Sequence, residues 1–499
     1  MFTVAGLTKY AAEDFVTAAP GDGVENRDVA KRKKTVSSWR ISRYHERPRK
    51  STPESKHLGG QNVKHRGKLL LFVILAGLGI GFLLLRDNKA PQLTLNPADG
   101  PTSAQKPPTL TVEDAGTGLK SLVINVTQGG KVTKLVDTTF KSGVARQQIT
   151  LPLEKLGLKE GPIVIDVKAK DRSTPSNSTK KTFSLVYDIH PPVISVLTTA
   201  HNIIQGGSGL VMFRVSEKVR RAGVQVADRF FPAFHQEGDV YACLFAFPYN
   251  LKPADFLPRV VAEDLAGNER SAGFYYHVKL RPARSDQINL SQAFLGQKMP
   301  EFQNYFPNVK DPLELFLHVN GELRAANIAK LKELSVKTVD KPLWQGTFLR
   351  LPNAAPKAGF NEARDYIFNG KKVDHQVHLG LDLASLAASP VPASNSGTVI
   401  YAKELGIYGQ CVIIDHGLGL QSLYSHLSSI DVKAGDKVNK GQIIGHTGAT
   451  GMAGGDHLHF GIIVGGIEVS PVEWLDPHWI KDNFTSKWNQ AVGGASARK

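Results

Sequence analysis

The chain has 499 residues, 41% of them apolar and 21% charged, which excludes a single small domain, wholesale disorder and a polytopic membrane protein. Two cysteines, Cys243 and Cys411, are too few for a disulfide framework or a Cys-based zinc site. The formal charge of +16 is divided: 15 basic and 7 acidic residues put +8 on residues 1–68, and the other 431 residues carry the remaining +8.

Residues 1–68 lack sustained apolar periodicity and include the run KRKK at 31–34. They are expected to be a largely disordered cytoplasmic segment whose basic residues set topology, with no nucleic-acid partner. Residues 69–85, LLLFVILAGLGIGFLLL, are 17 positions without a charge or a proline, enough for a short transmembrane helix. RDNKAPQ follows instead of a small-residue cleavage site, so an uncleaved signal anchor is expected. The basic excess before it keeps the N-terminus cytoplasmic and places everything after about Arg86 in the periplasm or another extracytoplasmic space.

From 91 to 280, short Val/Ile/Thr/Leu runs alternate with Gly, Pro, Asn and Asp clusters; SLVINV at 121–126 and IVIDVKAK at 163–170 are examples. This is the pattern of β-sandwiches. VKAKDRS, with Asp171, and VVAEDLAGN, with Asp264, echo each other 93 residues apart. His190-Pro191-Pro192 marks the boundary, giving two modules at 91–190 and 191–280. The turn from Asp264 to Asn268 resembles those of bacterial Ig-like repeats, which act as spacers or adhesive elements and imply possible envelope protein partners; the local role of its Asp and Asn is to cap the turn. Asp311-Pro312-Leu313-Glu314 reads as a helix start, and residues 281–343 are expected to be a short helical connector.

Residues 344–480 carry three motifs: His378-Leu-Gly-Leu-Asp382, Tyr424-Ser-His426 and His457-Leu-His459. Imidazole and carboxylate suit zinc, and on a strand His457 and His459 point to one side. Each motif alone has a bland explanation, since a lone strand histidine is usually structural. In this order, and with the Gly-punctuated stretch at 397–460, they resemble the LytM/lysostaphin-type zinc endopeptidases that cut peptidoglycan peptides. The resemblance implies a C-terminal β-sheet peptidase domain. It assigns His378, Asp382 and His459 as ligands of one Zn2+ and His426 and His457 as the catalytic pair that is not metal-bound. It further implies that zinc acidifies water and polarises the scissile carbonyl while the two histidines move the proton and hydrogen-bond the oxyanion. His375, His416 and His446 match no catalytic position and are read as structural or surface residues.

The whole is therefore expected to be mainly β, with a membrane helix, two Ig-like sandwiches, a connector at 285–334 that limits access to the groove, the peptidase domain and a tail at 481–499. Some LytM-like domains have lost their ligands and activate cell-wall amidases, whereas the ligand set here is intact. The stretch at 430–445 also resembles lipoyl and biotinyl carrier hairpins, without a lysine in the required turn. An adhesin or scaffold would not need the five protease residues in register.

Overall fold

The computed structural model describes residues 68–77 and 87–496. The N-terminal basic segment and the second half of the expected membrane span lie outside them. Residues 68–77 are helical and largely exposed. Among the described residues no helix is long and apolar enough to cross a membrane.

Residues 91–187 form a sandwich. Gln92–Asn96, Thr109–Glu113 and Arg146–Thr150 make a three-stranded sheet; Leu119–Gln128 and Gly161–Asp171 are central in a five-stranded one. The alternation in sequence becomes alternation in burial: Leu122, Ile124 and Val126 from one strand and Ile163, Ile165 and Val167 from its neighbour enter one core. The second module has two four-stranded sheets, one built around Ser208–Val215 and Val240–Ala246, the other around Val219–Val226 and Arg259–Asp264. Here the alternation fails, because Ser208–Val215 is buried on nearly every residue. The C-terminal helix Ser486–Ser496 packs on it. Residues 481–496, expected as a tail, are thus helical and bring Phe484, Trp488 and Ala491 into this core.

The last domain is built on an antiparallel eight-stranded sheet. Its centre runs Leu381–Ala384, Leu458–Val464, Leu420–Leu427, Gln410–Gly417 and Gly397–Glu404. Both faces are covered. Val412, Ile414, Tyr424, Phe460 and Ile462 share one core with the second module, while Cys411, Ile413, Leu423 and Ile463 face the connector. Both cysteines are buried and free. The connector is not purely helical: Arg284–Leu290 is a strand, parallel to Glu362–Phe368, which in turn pairs with Lys371–His378. Its helices Pro312–His318 and Arg324–Leu334 place Leu315, Phe316, Leu331 and Leu334 against the sheet. Asp311 caps the first of these, accepting from Glu314 N at 2.8 Å.

Candidate metal and catalytic centre

The five motif residues line one cleft of about 460 Å³, and the connector supplies part of its wall through Asp286, Leu290, Phe294 and Phe316. Asp382 and His459 sit directly opposite each other on paired strands. His378 ends the strand before Asp382. Gly380 lies between them because a Cβ there would come within 2.4 Å of the His459 ring.

Three atoms then face one another. His378 Nε2 is 2.9 Å from Asp382 Oδ1 and 3.0 Å from His459 Nδ1, and the last two are 2.9 Å apart. His378 Nδ1 donates to the Gly359 carbonyl at 2.8 Å, which leaves its Nε2 as the lone-pair atom. His459 Nε2 is buried on the far side without a partner. Two imidazole nitrogens and a carboxylate oxygen this close need a shared proton or a metal cation among them, and His459 Nδ1 is the one position that can carry that proton once His378 Nδ1 is committed to Gly359. Ligand atoms about 2.0–2.1 Å from a tetrahedral zinc are themselves roughly 3.3 Å apart, so a small contraction separates the observed triangle from that geometry. The donor set fits zinc.

His426 and His457 stand beside this triangle, with ring centroids 4.9 Å apart. His426 Nδ1 donates to the Thr450 carbonyl and His457 Nδ1 to the Gly455 carbonyl, both at 2.8 Å, so each keeps Nε2 free for the cleft. His457 Nε2 is 3.6 Å from Asp382 Oδ1. His426 has φ +63°, a left-handed conformation unfavourable for a residue with a Cβ and concentrated at functional sites.

Electrostatics follow from burial and from Asp382. Burial raises the Asp382 carboxyl, but the imidazoles of His378, His457 and His459 gathered round it outweigh this and hold the group well below the usual carboxylate range. Burial pushes His459 down to about 4 against the pull of Asp382. Burial, then the neighbouring His459 and His457, hold His426 well below its ordinary value. His457 is raised: burial opposes this, and the Asp382 carboxylate prevails.

The other histidines stay out of the cleft. His375 is half-exposed and pairs with Asp365 at 2.6 Å. His416 is buried between the Ser396 carbonyl and Ser422 Oγ, and His446 bonds Ser429 Oγ. Arg364 was not singled out by any motif. Its Nη2 donates to Asp382 Oδ2 at 3.2 Å, leaving Oδ1 for the triangle. Thr450, which holds His426, was likewise invisible because no spacing links it to the three motifs.

A sheet-borne His-Asp-His triangle flanked by two free imidazoles defines a candidate mononuclear centre of the hydrolytic type. Residues 376–471 match the model of Peptidase family M23, and the chain carries an M23 domain there. Over 97 residues it is 38% identical to the DD-carboxypeptidase/endopeptidase Mpg of Neisseria meningitidis, which is 19% of this chain and 22% of that protein. Over 96 residues it is 41% identical to the peptidoglycan DD-endopeptidase ShyA of Vibrio cholerae, again 19% of this chain and 22% of the relative. The catalytic domain of lysostaphin from Staphylococcus simulans aligns at 29% identity and a TM-score of 0.22, covering 26% of this chain and 98% of that domain. The chain spans about a fifth of the length of the curated relatives.

Proposed function

We propose that the chain is a zinc-dependent peptidase that hydrolyses peptide cross-links of peptidoglycan. The observation that carries this reading is the triangle of His378, Asp382 and His459, closed to within 3.0 Å beside two imidazoles with uncommitted nitrogens. His378 Nε2, Asp382 Oδ1 and His459 Nδ1 would hold the metal. Zinc, when bound, supplies a Lewis acid that acidifies water and polarises the scissile carbonyl. Arg364 fixes the Asp382 carboxylate through its other oxygen. His426 and His457, anchored through Nδ1, take up a proton at Nε2 and hydrogen-bond the developing oxyanion between them. Leu290, Phe294 and Phe316 give the cleft an apolar wall, and Asp286, Arg324 and Lys357 give it charges of both signs. That lining suits a peptide bearing both carboxylate and ammonium groups. The names of Mpg and ShyA support peptidoglycan as the substrate class.

We further propose that residues 69–85 anchor the chain in the cytoplasmic membrane, with its folded domains extracytoplasmic and the two sandwich modules acting as Ig-like elements of a stalk. The 17 uncharged apolar residues and the basic segment before them support this reading. Recovery in the soluble fraction after gentle lysis would overturn it.

The functional test incubates the full-length chain with purified peptidoglycan, with and without a chelator, and analyses the released muropeptides. Chelator-sensitive peptide cleavage, restored by zinc, is expected. Peptidoglycan left uncut, or cut equally with chelator present, would overturn the proposal.

A further inference from the structure

The two sandwich modules repeat an acidic triad at corresponding places. In the first, Asp87 precedes the opening strand, Asp114 follows Thr109–Glu113, and Asp171 ends Gly161–Asp171. In the second, Asp188, Glu217 and Asp264 take these places around Ile194–Val196, Ser208–Val215 and Arg259–Asp264. Within each triad one oxygen of every carboxylate lies within 4.8 Å of the others. An asparagine completes both. Asn177 Nδ2 donates to Asp171 Oδ2 at 2.7 Å and the Asp87 carbonyl at 2.9 Å; Asn268 Nδ2 donates to Asp264 Oδ2 at 3.0 Å and the Asp188 carbonyl at 3.2 Å.

The triads differ in one respect that points to a ligand. Glu217 is exposed, whereas Asp171 is fully buried and Asp114 is 3% exposed. Asp114 Oδ2 accepts from Gly116 N and Gly118 N, but Asp114 Oδ1 is buried with no hydrogen-bond partner. A buried carboxylate oxygen without a donor, beside two more carboxylates, is unfavourable unless positive charge reaches it. Among the described residues no lysine or arginine is ion-paired with any of the three; Arg146 is instead paired with Glu113 at 2.9 Å. The Asp87 carboxylate lies against the 114–118 turn so closely that a Cβ on Gly116 would meet it at 1.9 Å.

We propose that Asp87, Asp114 and Asp171 form a divalent-cation site of the calcium class, which clamps the segment entering the first module onto its sandwich. The donors are all oxygen, as calcium prefers and zinc does not. Three carboxylates hold six oxygens between them, against the roughly 6–8 that calcium takes with water completing its shell.

The test titrates Ca2+ alone into the full-length chain in the presence of zinc, by calorimetry and by thermal unfolding. The range is about 10⁻⁵–10⁻² M, which brackets the affinities of weak modular sites. Saturable binding and a Ca2+-dependent rise in Tm are expected. Asp114→Asn, which keeps an acceptor for the two glycine amides, should weaken binding at least about tenfold by removing ligand charge. Asp87→Asn should do the same at a position that is not part of the core, and it decides the matter if the first variant fails to fold. Glu217→Gln should leave the affinity unchanged. Absence of saturable binding, or wild-type affinity in Asp87→Asn, would overturn the assignment. So would a loss confined to Glu217→Gln.

Discussion

Glu473 joins the M23 domain to the second sandwich module, and its ionisation should be visible in the stability of the chain. It lies on the short helix Pro471–Trp474 with its carboxylate buried against the other module, where Oε2 accepts from Ser208 N at 2.9 Å and from Ser208 Oγ at 3.4 Å. Gly207 makes room for it: a Cβ there would sit 2.4 Å from Oε1. Burial pushes this carboxyl up from 4.5 to about 7, against the two Ser208 hydrogen bonds. The folded state therefore holds a proton that the unfolded state releases near 4.5. That contribution is fully present below about 4.5 and is lost as pH rises through about 7. The difference between 7 and 4.5, at 1.36 kcal/mol per pH unit, is about 3 kcal/mol. Glu473→Gln retains a carbonyl oxygen for Ser208 N and has no proton to lose. Its stability relative to wild type should rise by about 3 kcal/mol between pH 4.5 and pH 8. Denaturant unfolding followed by tryptophan fluorescence reads this directly, and Glu468, also raised to about 7 by burial, is present in both proteins and cancels. Parallel stability curves for the two proteins across that range would refute the reasoning.

Replacing His459 with Ala should remove both metal and activity, whereas His457→Ala and His426→Ala should keep the metal and lose about 10²–10⁴ in turnover. Metal content by mass spectrometry separates them, and an equal metal loss in His457→Ala would show the ligand assignment to be wrong. Gly409 has φ +62°, and a Cβ on it would meet the Thr450 backbone at 2.4 Å; Gly409→Ala should displace the carbonyl that holds His426 and lower turnover by about 10²-fold with metal content intact. A fragment starting at Lys341 strips Leu315, Phe316, Val319, Leu323, Leu331 and Leu334 from one face of the sheet. At roughly 1.5–3 kcal/mol each the six come to about 9–18 kcal/mol, as large as the usual net stability of about 5–15 kcal/mol, so the fragment should lack cooperative unfolding instead of emerging as an activated peptidase. A sharp thermal transition in that fragment would contradict this.

What the sequence makes visible depends on how many faces of an element are buried. In Leu119–Gln128 one face is buried and one is half-open, so period-two alternation identifies the strand and its inward residues. In Gln410–Gly417 nearly every residue is buried, and QCVIIDHG does not say that Val412 and Ile414 face one core while Cys411 and Ile413 face another. The strand Arg284–Leu290, RSDQINL, is mostly polar and exposed; its pairing comes from the Glu362–Phe368 edge and not from any pattern of its own. The Ser486–Ser496 helix contains two adjacent glycines and is held by packing against the second module. The candidate site was more legible, because its three short motifs in their order carry a family resemblance, and a strand period of two puts His457 and His459 on one side. Arg364 and Thr450 reach it from distant positions, which no spacing encodes.

The same two-sided burial explains why the centre can be precise. Asp382 and His459 stand on central strands whose register is fixed by a core on each face, so a one-residue slip of either strand would turn apolar side chains out of both. His378 is held at the strand end by the Gly359 carbonyl, and Gly380 gives the His459 ring no latitude. His426 is different: it sits in the Leu420–Leu427 strand where the register with Gln410–Gly417 shifts between Gln410 and Val412, in a left-handed conformation to which its Nδ1 contact with the Thr450 carbonyl and its burial contribute. Two corners of the triangle, Asp382 and His459, are thus built on the least deformable part of the sheet, whereas His426 stands at a strained irregularity of a central strand. Substitutions around Thr450 should therefore alter turnover before they alter metal binding, whereas substitutions in the paired strands should cost both together.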